Sequence, residues 1–129
     1  MDDARYWLGD ALTVDPSTGG LCLDGVALGP LASAHGTPLY VYGRATLKRR
    51  FAELRAALAG TGRGYEIRFA MKSNRFGPVL DLVREERDLK VDCCSPREVE
   101  RALAHGFTPA ELSLTAGMLS GRDLEATVA

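Results

Sequence analysis

The chain has 129 residues, of which 46% are hydrophobic and 26% charged, and its formal net charge is -1. This composition is typical of an ordinary globular domain and argues against a disordered, fibrous or membrane-embedded class. A charge near zero gives no general electrostatic reason to bind nucleic acid or an anionic membrane, so we expect a small-molecule partner.

The beginning of the chain and its cysteines indicate the compartment. The chain starts with Met1 followed by the acidic Asp2 and Asp3, and no nearby apolar run is long enough for a signal peptide or a membrane span, which predicts a cytoplasmic protein. Cys22, Cys93 and Cys94 are odd in number, and the adjacent pair should point to opposite faces of a strand. We predict three reduced core thiols, and the two histidines show no metal-ligand spacing.

Residues 10 to 28 predict a small antiparallel ribbon. Its strands would be residues 12–14, 21–23 and 26–28. The Asp24-Gly25 dipeptide between the last two is a strong hairpin signal, because both turn positions need positive φ. A short stretch ending at Gly36 follows, after which the pattern changes.

From Thr37 onward, apolar strands alternate with amphipathic helices, as in parallel α/β sheets and barrels. The predicted strands are residues 38–42, 65–72, 89–94 and 112–115, and the predicted helices are residues 45–59, 78–86, 96–106 and 121–129. A closed (β/α)8 barrel takes about 250 residues, so if these elements belong to a barrel, they form a partial TIM-type barrel of three to four βα units. We therefore expect the N-terminal portion of a longer protein, cut inside its last helix.

Lys72 is the first candidate functional residue. Alternation along its strand places Lys72 on one face with Arg68 and Ala70, at the carboxyl end, where barrel enzymes keep their catalytic groups. An amine there forms a Schiff base with an aldehyde if its surroundings lower its pKa. The alternative is a strand-ending lysine that simply reaches water.

Asp92 and Glu98 are the other two candidates. Alternation over residues 89–94 places Asp92 opposite the apolar face, so its carboxylate faces the same end of the predicted barrel as Lys72. A buried carboxylate needs a cationic partner, such as Lys72. Ser95-Pro96-Arg97-Glu98 has the order of a capping box, with Ser as N-cap, Pro at the first helical position and Glu as the third residue after the cap.

Several of these segments occur in one order and spacing. They are residues 36–42, 69–74, Val91-Asp92 with Ser95 and Glu98, and Ala102-Leu103 before Gly106-Phe107. Over about residues 26–129 the chain resembles the ornithine, diaminopimelate and arginine decarboxylase family.

The resemblance implies a fold-type III enzyme, with a (β/α)8 barrel that binds pyridoxal 5'-phosphate, a second β-domain and a head-to-tail homodimer. Residues 1–30 would then belong to the β-domain, and residues 31–129 to the N-terminal portion of the barrel. Lys72 would form the Schiff base with the cofactor, and Asp92 would lie close to it. Glu98 matches an acidic family position near the cofactor, although its capping role explains it equally well.

The implied reaction is decarboxylation of an amino acid such as diaminopimelate, ornithine or lysine. Many relatives have Gly at the position of Arg97 and a Lys within the loop held here by residues 116–120, so the substrate stays open and a divergent branch is suggested. In the family, the glycine-rich phosphate loop and the acid that pairs with the pyridine nitrogen would lie beyond residue 129. We therefore expect the 129-residue chain alone to be inactive.

Two alternatives remain. An amino-acid racemase or a cofactor-binding protein of the same barrel type also keeps a lysine at the end of an early strand. A non-catalytic fragment would act through protein association, because half a barrel exposes open sheet edges.

Overall fold

A computed structural model describes residues 11–115 and 117–128. By its internal contacts the chain divides into two compact units, Met1–Arg63 and Gly64–Ala129. The domain boundary near residue 30 stays a prediction.

The first unit contains the predicted ribbon. Strands β1 (Leu12–Val14), β2 (Leu21–Leu23) and β3 (Val26–Ala27) pair antiparallel in that order. Asp24 and Gly25 have φ values of 50° and 79°, so the predicted positive-φ hairpin turn is confirmed. Residues 1–10 lie outside the described part of the chain.

Helix α1 (Leu28–His35) follows β3 directly and was not predicted. Leu28, predicted as the end of a strand, is its first residue. Pro30 argues against a helix in the sequence, because proline lacks a backbone N–H. In the structure it lies in the first turn of α1, where backbone N–H groups make no hydrogen bond within the helix.

Helix α2 (Arg44–Ala59) confirms the helix predicted over residues 45–59. Its N-cap residue, Gly43, has no side chain, and the ribbon supplies the cap instead. The Asp24 carboxylate accepts the backbone N–H of Thr46 at 3.0 Å and its hydroxyl at 2.5 Å. The Thr46 hydroxyl, followed by its backbone N–H, holds the pKa of Asp24 below its ordinary value.

The prediction of a strand over residues 38–42 is wrong. The structure assigns no strand between α1 and α2, a region that lies wholly within described residues 11–115. The alternating apolar residues Leu39 and Val41 suit a strand, but a strand exists only through hydrogen bonds to a neighbouring strand, which composition cannot supply.

The second unit is the predicted parallel α/β arrangement. Strands β4 (Ile67–Ala70), β5 (Leu89–Cys93) and β6 (Leu112–Leu114) form a parallel sheet in that order. Helix α3 (Gly77–Glu85) connects β4 to β5, and α4 (Pro96–Ala104) connects β5 to β6. Helix α5 (Gly121–Val128) follows β6.

Strand β5 lies in the middle of this sheet and shows strict alternation. Leu89, Val91 and Cys93 are buried, while Lys90 and Asp92 are half-buried. Both α3 and α4 contact β5, so the buried side chains pack beneath the helices, where α3 contributes Val79, Leu80, Leu82 and Val83. In β4, an edge strand, all four residues are half-buried, so the sharp division of faces predicted there is not observed.

The predicted helix starts are confirmed. Ser95 caps α4 and its Oγ accepts the backbone N–H of Glu98. Before α5, the Ser120 Oγ accepts the Asp123 N–H at 3.2 Å, and the Asp123 carboxylate accepts the Ser120 N–H at 2.9 Å. Among the helices of the described residues, none is both long and apolar enough to cross a membrane.

The contact between Asp24 and α2 gives a stability prediction. A Cβ added at Gly43 would overlap the Asp24 carboxylate. Gly43→Ala should push this carboxylate away from Thr46 and lower the free energy of unfolding by about 1 kcal/mol, the scale of a lost helix cap. The measurement is chemical denaturation of the protein at its natural length.

Gly64→Ala is the matched control, because a Cβ there meets nothing within 4 Å and no positive φ is required. Equal stability of the two variants would contradict a capping role for Asp24.

Candidate active site

Lys72 lies just beyond the carboxyl end of β4. The strand ends at Ala70, and Met71–Ser73 form a single 3-10 turn, so the predicted strand over 65–72 is too long at both ends. The Ser73 hydroxyl donates to the Ala70 carbonyl at 2.7 Å, and the Asn74 N–H donates to the Met71 carbonyl at 3.1 Å. Polar groups that compete with ladder pairing thus end the strand early.

The turn divides its residues between the core and solvent. Met71 is fully buried, whereas Lys72 is exposed. Among the described residues, no hydrogen bond or ion pair engages the Lys72 amine. The buried Met71 therefore anchors the turn, and the amine stays accessible at the carboxyl edge of the sheet.

Asp92 lies on the neighbouring strand, at the same edge. It pairs in register with Ala70 of β4 and with Ser113 of β6. Its Oδ1 accepts the Ser113 hydroxyl at 2.5 Å and the Thr115 hydroxyl at 2.7 Å. These carboxyl ends of parallel strands are where α/β proteins and barrels place their reactive groups.

The hydroxyls are also the main electrostatic influence on Asp92. Ser113 first, and then Thr115, holds the pKa of Asp92 below its ordinary value, with smaller contributions from the charges of Lys72 and Arg68. Asp92 is therefore ionised near neutral pH. The predicted influence of Lys72 is present, but two neutral donors outweigh it.

Ser113 and Thr115 were missed in the sequence, although a signal was present. Polar residues at positions i and i+2 of a predicted strand share one face, and alternation places that face beside Asp92 once the strand order is known. That order is set by tertiary structure.

Glu98 is buried, with only 4% of its surface exposed. Its Oε2 accepts the Cys94 N–H at 2.7 Å, and its Oε1 lies 3.5 Å from Nη1 of Arg75. The first bond of the predicted capping box, from the Glu98 N–H to the Ser95 hydroxyl, is confirmed. The second bond is shifted by one residue, because the Glu98 carboxylate accepts the N–H of Cys94, the residue before the N-cap. This position fits a structural role at the start of α4, and a role in cofactor binding stays a prediction.

Arg68 and Arg75 are already engaged by other residues. Arg68 lies 2.5 Å from Glu66. Arg75 pairs with Glu98, and its carbonyl accepts the Arg101 guanidinium at 2.8 Å.

All three cysteines are free thiols, and Cys22 and Cys93 are buried as predicted, whereas the prediction that Cys94 is a core residue is wrong. Burial, the largest cause, raises the pKa of Cys93 to about 11, and its Sγ lies 3.6 Å from Sδ of the buried Met71. Cys94 is half-buried, with its neighbour pointing into the core. Cys93 is therefore a packing residue and a poor nucleophile. Within the described residues, no group of three His, Cys, Asp or Glu is placed to bind a metal.

Comparison with known families identifies this arrangement. The sequence profile described as "Pyridoxal-dependent decarboxylase, pyridoxal binding domain" matches residues 44–128. The chain belongs to this decarboxylase family. Lys72, Asp92 and Glu98 all lie inside the matched segment.

Individual relatives agree with the family. A diaminopimelate decarboxylase from Streptomyces coelicolor is 41% identical over 85 residues, covering 66% of this chain and 18% of that protein. The chain spans about a fifth of the length of the curated relatives it matches.

Solved structures confirm the predicted fold. The crystal structure of AQ1208 from Aquifex aeolicus matches 93% of this chain and 28% of its own, with a TM-score of 0.81 and 28% identity. Diaminopimelate decarboxylase from Helicobacter pylori, complexed with L-lysine, matches 78% of this chain and 25% of its own, with a TM-score of 0.68 and 28% identity. The chain is thus a partial α/β barrel preceded by a β-ribbon.

The residues at the site fit the family's cofactor. Pyridoxal phosphate carries an aldehyde, which needs an accessible primary amine, and Lys72 has one at the carboxyl edge of the sheet. The ionised Asp92 on the next strand is suited to balance a positive charge nearby.

A prediction separates structural from functional readings of Glu98. Glu98→Ala should lower the free energy of unfolding by about 2 kcal/mol, because it removes the carboxylate that accepts the part-buried Cys94 N–H. Glu100→Ala, on the exposed face of the same helix, should change it by less than about 0.5 kcal/mol.

Both variants would be measured by denaturant unfolding and by pyridoxal phosphate uptake. If Glu98→Ala leaves stability intact but abolishes uptake, the structural reading is wrong and the cofactor-site reading is correct.

Proposed function

We propose that the protein containing this chain decarboxylates an amino acid with pyridoxal phosphate held by Lys72. The observation that carries this proposal is the accessible Lys72 amine one turn beyond a parallel strand, beside the Asp92 carboxylate on the next strand. Family membership supports the cofactor and the reaction class.

The chain's own residues have separate tasks in this proposal. When bound, the cofactor would supply an electron sink for decarboxylation. Lys72 Nζ would hold the cofactor, and its amine, once free, would carry a proton. Asp92 stays ionised and balances the charge on that nitrogen. The protein is proposed to act as a cytoplasmic homodimer on a small amino acid.

The substrate we propose to test first is diaminopimelate. The relative from S. coelicolor is a diaminopimelate decarboxylase, and the H. pylori enzyme was solved with L-lysine. A racemase of the same barrel type is the alternative reaction, and association without catalysis is the alternative of another class.

Cofactor attachment is the direct test of Lys72. In the natural-length protein, borohydride reduction after incubation with pyridoxal phosphate should fix the cofactor on the peptide that contains Lys72. Lys72→Ala should abolish this attachment and the activity, because it removes the primary amine that the aldehyde needs. Peptide mass spectrometry identifies the modified residue.

Lys90→Ala is the matched control, since Lys90 lies near the opposite end of the sheet and pairs with Glu66. It should keep attachment at Lys72. Wild-type protein that gains no cofactor mass would favour the association alternative, and labelling at another lysine would refute the assignment of Lys72.

Substrate and reaction type are tested together with carboxyl-labelled amino acids. We expect carbon dioxide release from diaminopimelate, with kcat/KM at least about a hundredfold above that for ornithine, lysine and arginine, because only diaminopimelate has a second carboxylate and a site built to bind that group rejects substrates that lack it. Chiral analysis of the remaining amino acid detects racemisation, which keeps the carboxylate.

Racemised substrate without carbon dioxide would refute decarboxylation. Efficient turnover of none of the four amino acids would refute the proposed substrate and favour the divergent branch suggested by Arg97 and residues 116–120.

A further inference from the structure

Two hydroxyl side chains at the site have no task in the proposed reaction. Ser113 lies directly opposite Asp92 in the parallel ladder. Thr115 lies two residues further on, and its backbone N–H donates to the Cys93 carbonyl at 2.8 Å, which extends the pairing beyond β6. The sheet therefore fixes both backbones relative to Asp92.

Both hydroxyls donate to the same carboxylate oxygen. Oδ1 of Asp92 accepts Ser113 at 2.5 Å and Thr115 at 2.7 Å. Oδ2 accepts no hydrogen bond from any residue that the structure describes. Since an ionised carboxylate offers about four acceptor positions, the Oδ2 side keeps its capacity for a cationic partner.

The charged groups around Asp92 favour its ionised form. The Lys72 ammonium, from the turn after β4, and the Arg68 guanidinium, from β4, both act in this direction. Helix α4 contributes one buried carboxylate, Glu98, which is bonded to the Cys94 N–H. On the other face, β5 itself contributes the Cys93 thiol, which is protonated near neutral pH and is close enough to Glu98 for that carboxylate to raise its pKa further.

We propose that Ser113 and Thr115 are positioning residues, which hold Asp92 through Oδ1 and thereby present Oδ2 to the amine of Lys72. This inference rests on the proposed function of Lys72. The hydroxyls add no charge, but they stabilise the carboxylate and make it a weaker base. The carboxylate of Asp92 therefore stays ionised beside the amine of Lys72.

The test compares Thr115→Val and the double variant Ser113→Ala/Thr115→Val with wild type, in the natural-length protein. Thr115→Ser is the conservative control, because it keeps the hydroxyl. We expect kcat/KM to fall about tenfold for each hydroxyl removed, the scale of a hydrogen bond to a charged group. We also expect the acid limb of the kcat/KM profile to move to higher pH, because Asp92 without its donors is protonated more easily.

Cofactor attachment gives a second readout that needs no turnover. As the pH is lowered, the yield of cofactor that borohydride traps on Lys72 should begin to fall at a higher pH in the double variant than in wild type. Thr115→Ser should follow wild type. Thr115 is exposed, so its valine variant tests the inference in a folded protein even if the double variant unfolds.

An unchanged acid limb and trapping profile in Thr115→Val would overturn the inference, as would a Thr115→Ser variant as impaired as Thr115→Val. In both cases the wild-type protein still carries the cofactor on Lys72, so the proposed function stands. Wild-type protein that never takes up the cofactor would overturn the proposed function and this inference together.

Discussion

The alternation of β5 is the constraint on which the candidate site depends. Because successive side chains point to opposite faces, the strand that buries Leu89, Val91 and Cys93 must present Lys90 and Asp92 on the other face. A shift of one residue would bury the carboxylate and expose the core side chains. The same hydrophobic contacts that stabilise the second unit therefore fix the position of Asp92.

Regular, strongly patterned elements could be predicted from the sequence, as the helix starts at Ser95 and Ser120 and the turn at Asp24-Gly25 show. These signals are local, because each depends on residues within one turn of the chain. The failures depend on distant partners or on side-chain competition with the backbone. Residues 38–42 have the composition of a strand but no assigned pairing, and β4 ends early where Ser73 and Asn74 close a turn.

The residues of the candidate site also divide into those that the sequence predicted and those that it did not. Lys72 and Asp92 stood out in the sequence because their charges interrupt apolar runs and because the surrounding motifs resemble one family. Ser113 and Thr115 are ordinary residues of a short strand, and only the order β4-β5-β6 brings them to Asp92. Their hydrogen bonds outweigh the charge of Lys72 in setting the pKa of that carboxylate, a ranking that requires distances.

The different supports of Asp92 and Lys72 suit a reaction in which one group stays and the other moves. Asp92 lies on the central strand and is held by hydrogen bonds from the adjacent strand, so its position is tied to the sheet. Lys72 lies on a single 3-10 turn anchored by the buried Met71, and its long side chain meets no fixed partner among the described residues. In the proposed function, an amine that holds a cofactor and is then released would need this freedom, whereas the fixed carboxylate of Asp92 would supply a constant charge beside it.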